Sequence, residues 1–155
     1  MGVAFSQTSH DLFDNPGKQA VIKYFERRGY QSHYKKENLG IDLRFTKDGV
    51  REIFAEVAIR PTFKWKLSRW DTDAPKSWKT VHIVERKYKY GKPEPAWYGE
   101  KAYIFEINND ITEAFVIQPC IIKEEWEKVQ YTKRGFEEKM YDVPVEYFRV
   151  IDLTK

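Results

Sequence analysis

One stretch constrains the chain more than any other: two alternating runs joined by a hairpin signal. Ile41-Asp42-Leu43-Arg44-Phe45 alternates apolar and polar side chains at the period of a strand, and Thr46-Lys47-Asp48-Gly49 carries the Asp-Gly pair favoured in tight turns. Glu52-Ile53-Phe54-Ala55-Glu56-Val57-Ala58-Ile59-Arg60 then reads as a long strand that Pro61 closes. A lone hairpin is marginal in water, so other elements must cover its apolar face.

The flanking sequence supplies such elements. Residues 18–28 place Ala20, Val21, Tyr24 and Phe25 near helical spacing, with Asp14 or Asn15 as cap, Pro16 in the first turn and Gly29 as stop. Residues 30–34 read as a short polar extended run, and residues 61–80 as an irregular, lysine- and tryptophan-rich loop. Residues 81–84 form a strand running on into 85–90, and 91–99 a proline-bearing loop. Residues 102–107 form a buried strand, joined through the turn Asn108-Asn109-Asp110 to its mate at 112–117. A short helix is expected over 121–131 and an extended amphipathic tail over 143–153. The expectation is an α/β (α+β) fold: a single domain, residues 1–155, with one central mixed sheet flanked by helices. Its core spans about 14–120, and a C-terminal helix and extended tail occupy 121–155.

Composition narrows the function classes. Hydrophobic residues make up 41% and charged residues 33%, which suits a folded domain. Aromatics reach 16%, and filling a small core is the simplest use for them. The net charge of +3 permits nucleic-acid binding without demanding it. The single cysteine, Cys120, excludes an internal disulfide and reads as a small buried residue, and three histidines allow no dense metal cluster. His82, between Val81 and Ile83, reads as a packed, hydrogen-bonded strand residue. No apolar run is long enough to span a bilayer and no leader precedes the first helix, so a cytoplasmic location, in a cell or a virus-infected host cell, and no membrane partner are expected.

Chemistry is signalled by carboxylates inside apolar strands. Asp42 lies between Ile41 and Leu43, and Glu56 between Ala55 and Val57. Such groups need partners, because desolvating a carboxylate alone is expensive. On neighbouring strands they can converge on one Mg²⁺, a cation that takes hard oxygens from one or two carboxylates plus water and phosphate. The residues equally allow an exposed hairpin face on which Glu56 pairs with Arg44 or Arg60.

A helix, then an Asp-bearing strand, then a hairpin strand bearing Glu resembles the PD-(D/E)XK, or restriction-endonuclease-like and Holliday-junction-resolvase-like, nucleases. Residues 78–87 and the hairpin around Asn108-Asn109-Asp110 resemble later parts of small phage-type members, so the likeness covers roughly residues 14–120. It implies metal-dependent phosphodiester hydrolysis of DNA, with Mg²⁺ or Mn²⁺ on Asp42 and Glu56, and it allows a homodimer that cuts two strands. The family carries lysine two residues after the acid, where this chain has Ala58. Two registers stay open. Either Glu56 is the acid and Arg60, Lys18 or Lys23 supplies the positive charge, or Ala58 stands at the acid position and Arg60 at that of the lysine. A glutamate near the start of the first helix, common in resolvase-like members, is also replaced by Lys18-Gln19.

Cations interleaved with aromatics mark a nucleic-acid surface: Lys64, Lys66 and Arg69 among Phe63, Trp65 and Trp70, then Arg86, Lys87 and Lys89 around Tyr88 and Tyr90. Solvated loops with snorkelling lysines would look the same. The alternative to a nuclease is a catalytically inactive protein of the same fold that binds nucleic acid or a protein partner.

Overall fold

The computed structural model describes residues 16–33, 40–95, 97–131, 135 and 137–155. Helix α1 (residues 16–26) starts on Pro16, so the missing proline N–H falls where no intrahelical partner exists. It ends on Gly29, whose φ of +85° lets the Tyr30 N–H reach back to the Phe25 carbonyl at 3.1 Å. Asp14, Asn15 and Tyr34, which entered the expectations above, lie outside the described residues.

The chain then builds a mixed α+β architecture around two sheets. Strands β1 (Gln31–Ser32), β2 (Leu43–Lys47), β3 (Arg51–Ile59), β5 (Ala102–Ile107), β6 (Glu113–Ile117) and β9 (Arg149–Asp152) form a six-stranded sheet in the order β1-β2-β3-β5-β6-β9. Every pair in it is antiparallel except β3 and β5, which run parallel. A smaller antiparallel sheet orders β4 (Thr80–Val84), β8 (Glu137–Pro144) and β7 (Glu127–Tyr131) as β4-β8-β7. Two short helices, α2 (Trp70–Asp73) and α3 (Glu85–Lys89), complete the fold. No helix among the described residues is long and apolar enough to cross a membrane.

Side-chain alternation divides the large sheet into two faces. Leu43, Phe45, Ala55, Val57, Phe105 and Ile107 pack under α1 through Val21, Ile22 and Phe25. The rings of Phe25 and Phe45 lie 4.4 Å apart at the centre of that layer. Ile104, Phe115 and Ile117 point the other way and meet Val81, Ile83, Tyr141 and Val143 of the small sheet, together with Phe63, Leu67 and Trp70. The aromatic richness is thus spent largely in the core, as its simplest use suggests.

Several expectations are corrected. A single central sheet becomes two sheets. Residues 121–131 are not a helix: after the tight turns Pro119–Ile121 and Glu124–Trp126 they form β7, where Val129 sits opposite Lys139 and Glu127 pairs with Lys139 at 3.2 Å. Cross-strand pairing with β8, the next strand in the chain, overrides the local helix pattern. Residues 85–90 do not continue the β4 strand but turn into α3, which brings the Tyr88 ring to 4.1 Å from Tyr141 in a parallel stack. Cys120 is exposed rather than buried. His82 is also exposed, with its Nδ1 2.5 Å from the Asp142 carboxylate.

Where α3 ends, Gly91 lies against the turn at Pro119–Ile121. A Cβ on Gly91 would sit 2.3 Å from the Cys120 backbone nitrogen and 2.5 Å from the Pro119 carbonyl carbon. Backbone cannot swing aside as a side-chain end can. Gly91→Ala is expected to lower stability by about 1–3 kcal/mol in urea unfolding.

Candidate functional site

Hairpin register brings the two acids together. Leu43 pairs with Ala55, so Asp42, one residue before, stands opposite Glu56, one residue after. Glu56 is only 4% exposed, and its carboxyl lies within hydrogen-bonding reach of that of Asp42. Burial, then the charge and hydrogen bond of Asp42, push Glu56 up from its ordinary 4.5 to about 8, while Arg86 and Lys87 pull it back. Asp42 is anchored by the Val57 backbone N–H, which donates to its Oδ2 at 2.9 Å, and Lys18 Nζ lies 3.6 Å from its Oδ1. The exposed-face alternative does not hold, because Arg44 pairs with Glu52 at 2.7 Å instead.

Helix α3 supplies the cations from above. Arg86 Nη1 lies 3.4 Å from both Glu56 oxygens and donates to the Tyr90 hydroxyl at 2.8 Å. Arg86 and Tyr90 are four residues apart, so they share one side of the helical turn. Tyr90 in turn donates to the Gly40 carbonyl at 2.5 Å, which ties α3 to the chain just ahead of Asp42. Burial and the nearby Glu56 push the Tyr90 hydroxyl up to about 12, so it stays a donor at neutral pH.

Beside this pair lies a second buried acid. Parallel pairing of β3 with β5 sets Ala58 next to Glu106, which is fully buried. Lys87 Nζ donates to Glu106 Oε1 at 3.2 Å, and Arg60 Nη1 lies 3.4 Å from Oε2. Two cations on one carboxylate offset its desolvation, as a buried charge requires.

The candidates from sequence therefore divide. Asp42, Glu56 and Lys18 come together. Arg60 shares their sheet face but serves Glu106, reaches the His82 carbonyl at 3.4 Å and packs its guanidinium over Phe63. Lys23 is exposed. Among the residues expected against nucleic acid, Lys64, Lys66, Arg86 and Lys89 are exposed, with Lys89 paired to Glu85 at 3.2 Å. Lys87 is buried instead, because α3 turns its ammonium inward to Glu106. Tyr90 and Glu106 were missed. The signal that marks Glu56, a carboxylate within an apolar strand, also marks Glu106 in Ala-Tyr-Ile-Phe-Glu-Ile. Tyr90 needed the helix, since only that turn aligns it with Arg86.

No protein-family model matches the chain, and neither does any curated protein or solved structure. The chemistry has to be argued from the groups themselves. Asp42 and Glu56 offer hard oxygens, and among the described residues no third His, Cys, Asp or Glu joins them in one group. A divalent cation held by two carboxylates, with its remaining positions on water and phosphate, suits Mg²⁺ or Mn²⁺. Two carboxylates facing each other across the β2–β3 pair are oxygen donors of the kind such an ion takes.

A stability effect follows in metal-free protein. The fold favours protonated Glu56, so the native state holds a proton that the unfolded chain has released above pH 4.5. Stability from this group is therefore greatest below 4.5 and falls as pH rises towards 8. Glu56→Gln, which carries no titrating proton, is expected to narrow that decline by about 2–4 kcal/mol in urea unfolding with chelator between pH 5 and 8.5.

Proposed function

We propose that this chain is a metal-dependent phosphodiesterase acting on DNA, of the restriction-endonuclease-like, PD-(D/E)XK type. The observation that carries the reading is the meeting of Asp42 and Glu56 beneath Arg86 and beside Lys18. The order of elements also supports it: a helix, the short β1, Asp42 just ahead of β2, the Glu56-bearing β3, short helices on either side of β4, and β5 running parallel to β3.

Asp42 and Glu56 would hold the cation, and the Val57 N–H keeps the Asp42 carboxylate aimed toward Glu56. When bound, Mg²⁺ would polarise a phosphate oxygen and lower the pKa of a coordinated water. Arg86, with 58% of its side chain exposed, is free to turn its planar guanidinium to a phosphate and to offset the charge that develops there. Tyr90 holds Arg86 at that position. Lys87 supplies the ammonium that position 58 lacks: the short Ala58 side chain leaves the space beside Glu106 to a lysine arriving from α3. Glu106 and Arg60 then act as positioning residues for Lys87. Register favours Glu56, rather than Ala58, at the acid position.

A second reading has its own support. Arg86 already pairs with Glu56 and Lys87 with Glu106, so each buried acid has a cationic partner, as in a protein of this fold that binds nucleic acid or a partner without cutting.

Incubation with linear and branched DNA in Mg²⁺ or Mn²⁺ separates the two. Cleavage that disappears with chelator, and that falls by about 100-fold or more in Asp42→Asn, is the expected result. Calorimetric Mn²⁺ binding should be lost in the same variant, while the thermal midpoint in chelator changes little. Salt-sensitive DNA binding with no cutting in either metal would leave the second reading standing.

A further inference from the structure

Each oxygen of the acid pair already faces a donor. The Val57 N–H donates to Asp42 Oδ2, and Lys18 Nζ stands 3.6 Å from Oδ1. Arg86 Nη1 lies 3.4 Å from Glu56 Oε1 and 3.4 Å from Oε2. A guanidinium nitrogen equidistant from both oxygens sits on the edge of the carboxylate that a chelated cation would take. Such an ion and Arg86 in its present place exclude each other, by space and by like charge.

The three donors differ in their freedom to give way. The Val57 N–H belongs to the backbone of a paired strand. The Lys18 side chain is only 14% exposed. That of Arg86 is 58% exposed, over a Glu56 side chain that is 5% exposed. Its two contacts with Glu56 lie at the loose end of hydrogen-bond range, and its bond to the Tyr90 hydroxyl, at 2.8 Å, is the closer one. Helix α3 does not depend on the Glu56 contact. Tyr90 is fixed by the Gly40 carbonyl, Lys87 by Glu106 and Tyr88 by Tyr141, so the helix keeps its place when Arg86 turns. The guanidinium can leave Glu56 and still hold Tyr90.

We propose that Arg86 is an autoinhibitory plug: in the metal-free protein its guanidinium closes the Glu56 carboxylate, and a divalent cation binds the acid pair only as Arg86 swings outward about Tyr90 to face an incoming phosphate. This rests on the metal-dependent reading above and adds a control to it. Turned outward, the guanidinium presents a planar fork of donors to an anion. A phosphate that captures it raises the fraction of molecules whose acid pair is open, and the apparent affinity for the cation rises with that fraction. The coupling is reciprocal, so the cation in turn favours the phosphate.

Heteronuclear NMR of the arginine side chains in the full chain follows the plug directly. The Arg86 signals, identified by their absence from Arg86→Gln, are expected to move on titration with Mg²⁺, while those of Arg60, paired with Glu106, stay near their starting positions. In calorimetry Arg86→Gln is expected to bind Mn²⁺ about fivefold or more tightly than the wild type. Lys89→Gln, which removes a charge from the same helix without touching Glu56, should change that affinity little. Equal Mn²⁺ affinity in wild type and Arg86→Gln overturns the plug and leaves the metal site standing, as do Arg86 signals that a bound ion leaves unmoved. A gain in Lys89→Gln as large as that in Arg86→Gln also overturns it, because net charge alone then accounts for the effect. Should Arg86→Gln lose the wild-type circular dichroism spectrum, Arg86→Met replaces it, and the wild-type NMR titration still decides. Binding of neither ion, in wild type or variant, overturns both the plug and the metal-dependent reading.

Discussion

Two carboxyl groups facing each other across a buried hairpin pair set the terms for everything around them. Neither can leave, because the antiparallel register that buries Leu43, Phe45, Ala55 and Val57 under α1 also fixes Asp42 opposite Glu56. A one-residue slip would turn the whole apolar set to the wrong face. The core therefore holds an unfavourable electrostatic contact in place. The molecule answers it with Lys18 from α1 and Arg86 from α3, and burial beside Asp42 pushes the pKa of Glu56 upward. Carboxylates perturbed in this way are common at functional sites.

Helix α3 has five residues, too few for local propensity to sustain it. Tertiary contacts hold it at both ends. Tyr88 stacks on Tyr141, Lys87 reaches Glu106, and Tyr90 closes on Gly40. Each contact also does something for the acids: Arg86 is aimed, Lys87 is buried nearby, and the backbone before Asp42 is fastened. Losing Glu106 would strand Lys87, and losing Lys87 would strand a buried carboxylate, so the two behave as one unit.

The two faces of the large sheet have separate duties. The α1 face is a continuous apolar layer whose buried members carry no charge. The opposite face mixes a hydrophobic centre with Glu56, Glu106 and Arg60. The small sheet and residues 61–80 pack on this second face, and the charged groups lie among the apolar contacts they make.

Local pattern was enough for the hairpin, the first helix, the strands at 81–84 and 102–107, and the turn at Asn108-Asn109-Asp110, because each is marked by periodicity or by turn chemistry within a dozen residues. It was also enough to single out Asp42 and Glu56, since a charge inside an apolar strand is visible in one dimension. What it could not reveal depends on partners outside each segment's own pattern. β7 is a strand because β8 pairs with it, α3 is helical because Tyr141 and Glu106 receive its side chains, and Lys87 points inward because Ala58 leaves Glu106 uncovered. The amino-acid sequence by itself determined which residues must be buried and which buried charges would need company. Only the tertiary structure decided which company they keep, because ion pairs and sheet registers are set by where distant segments land, and the free energy that places them belongs to the whole core.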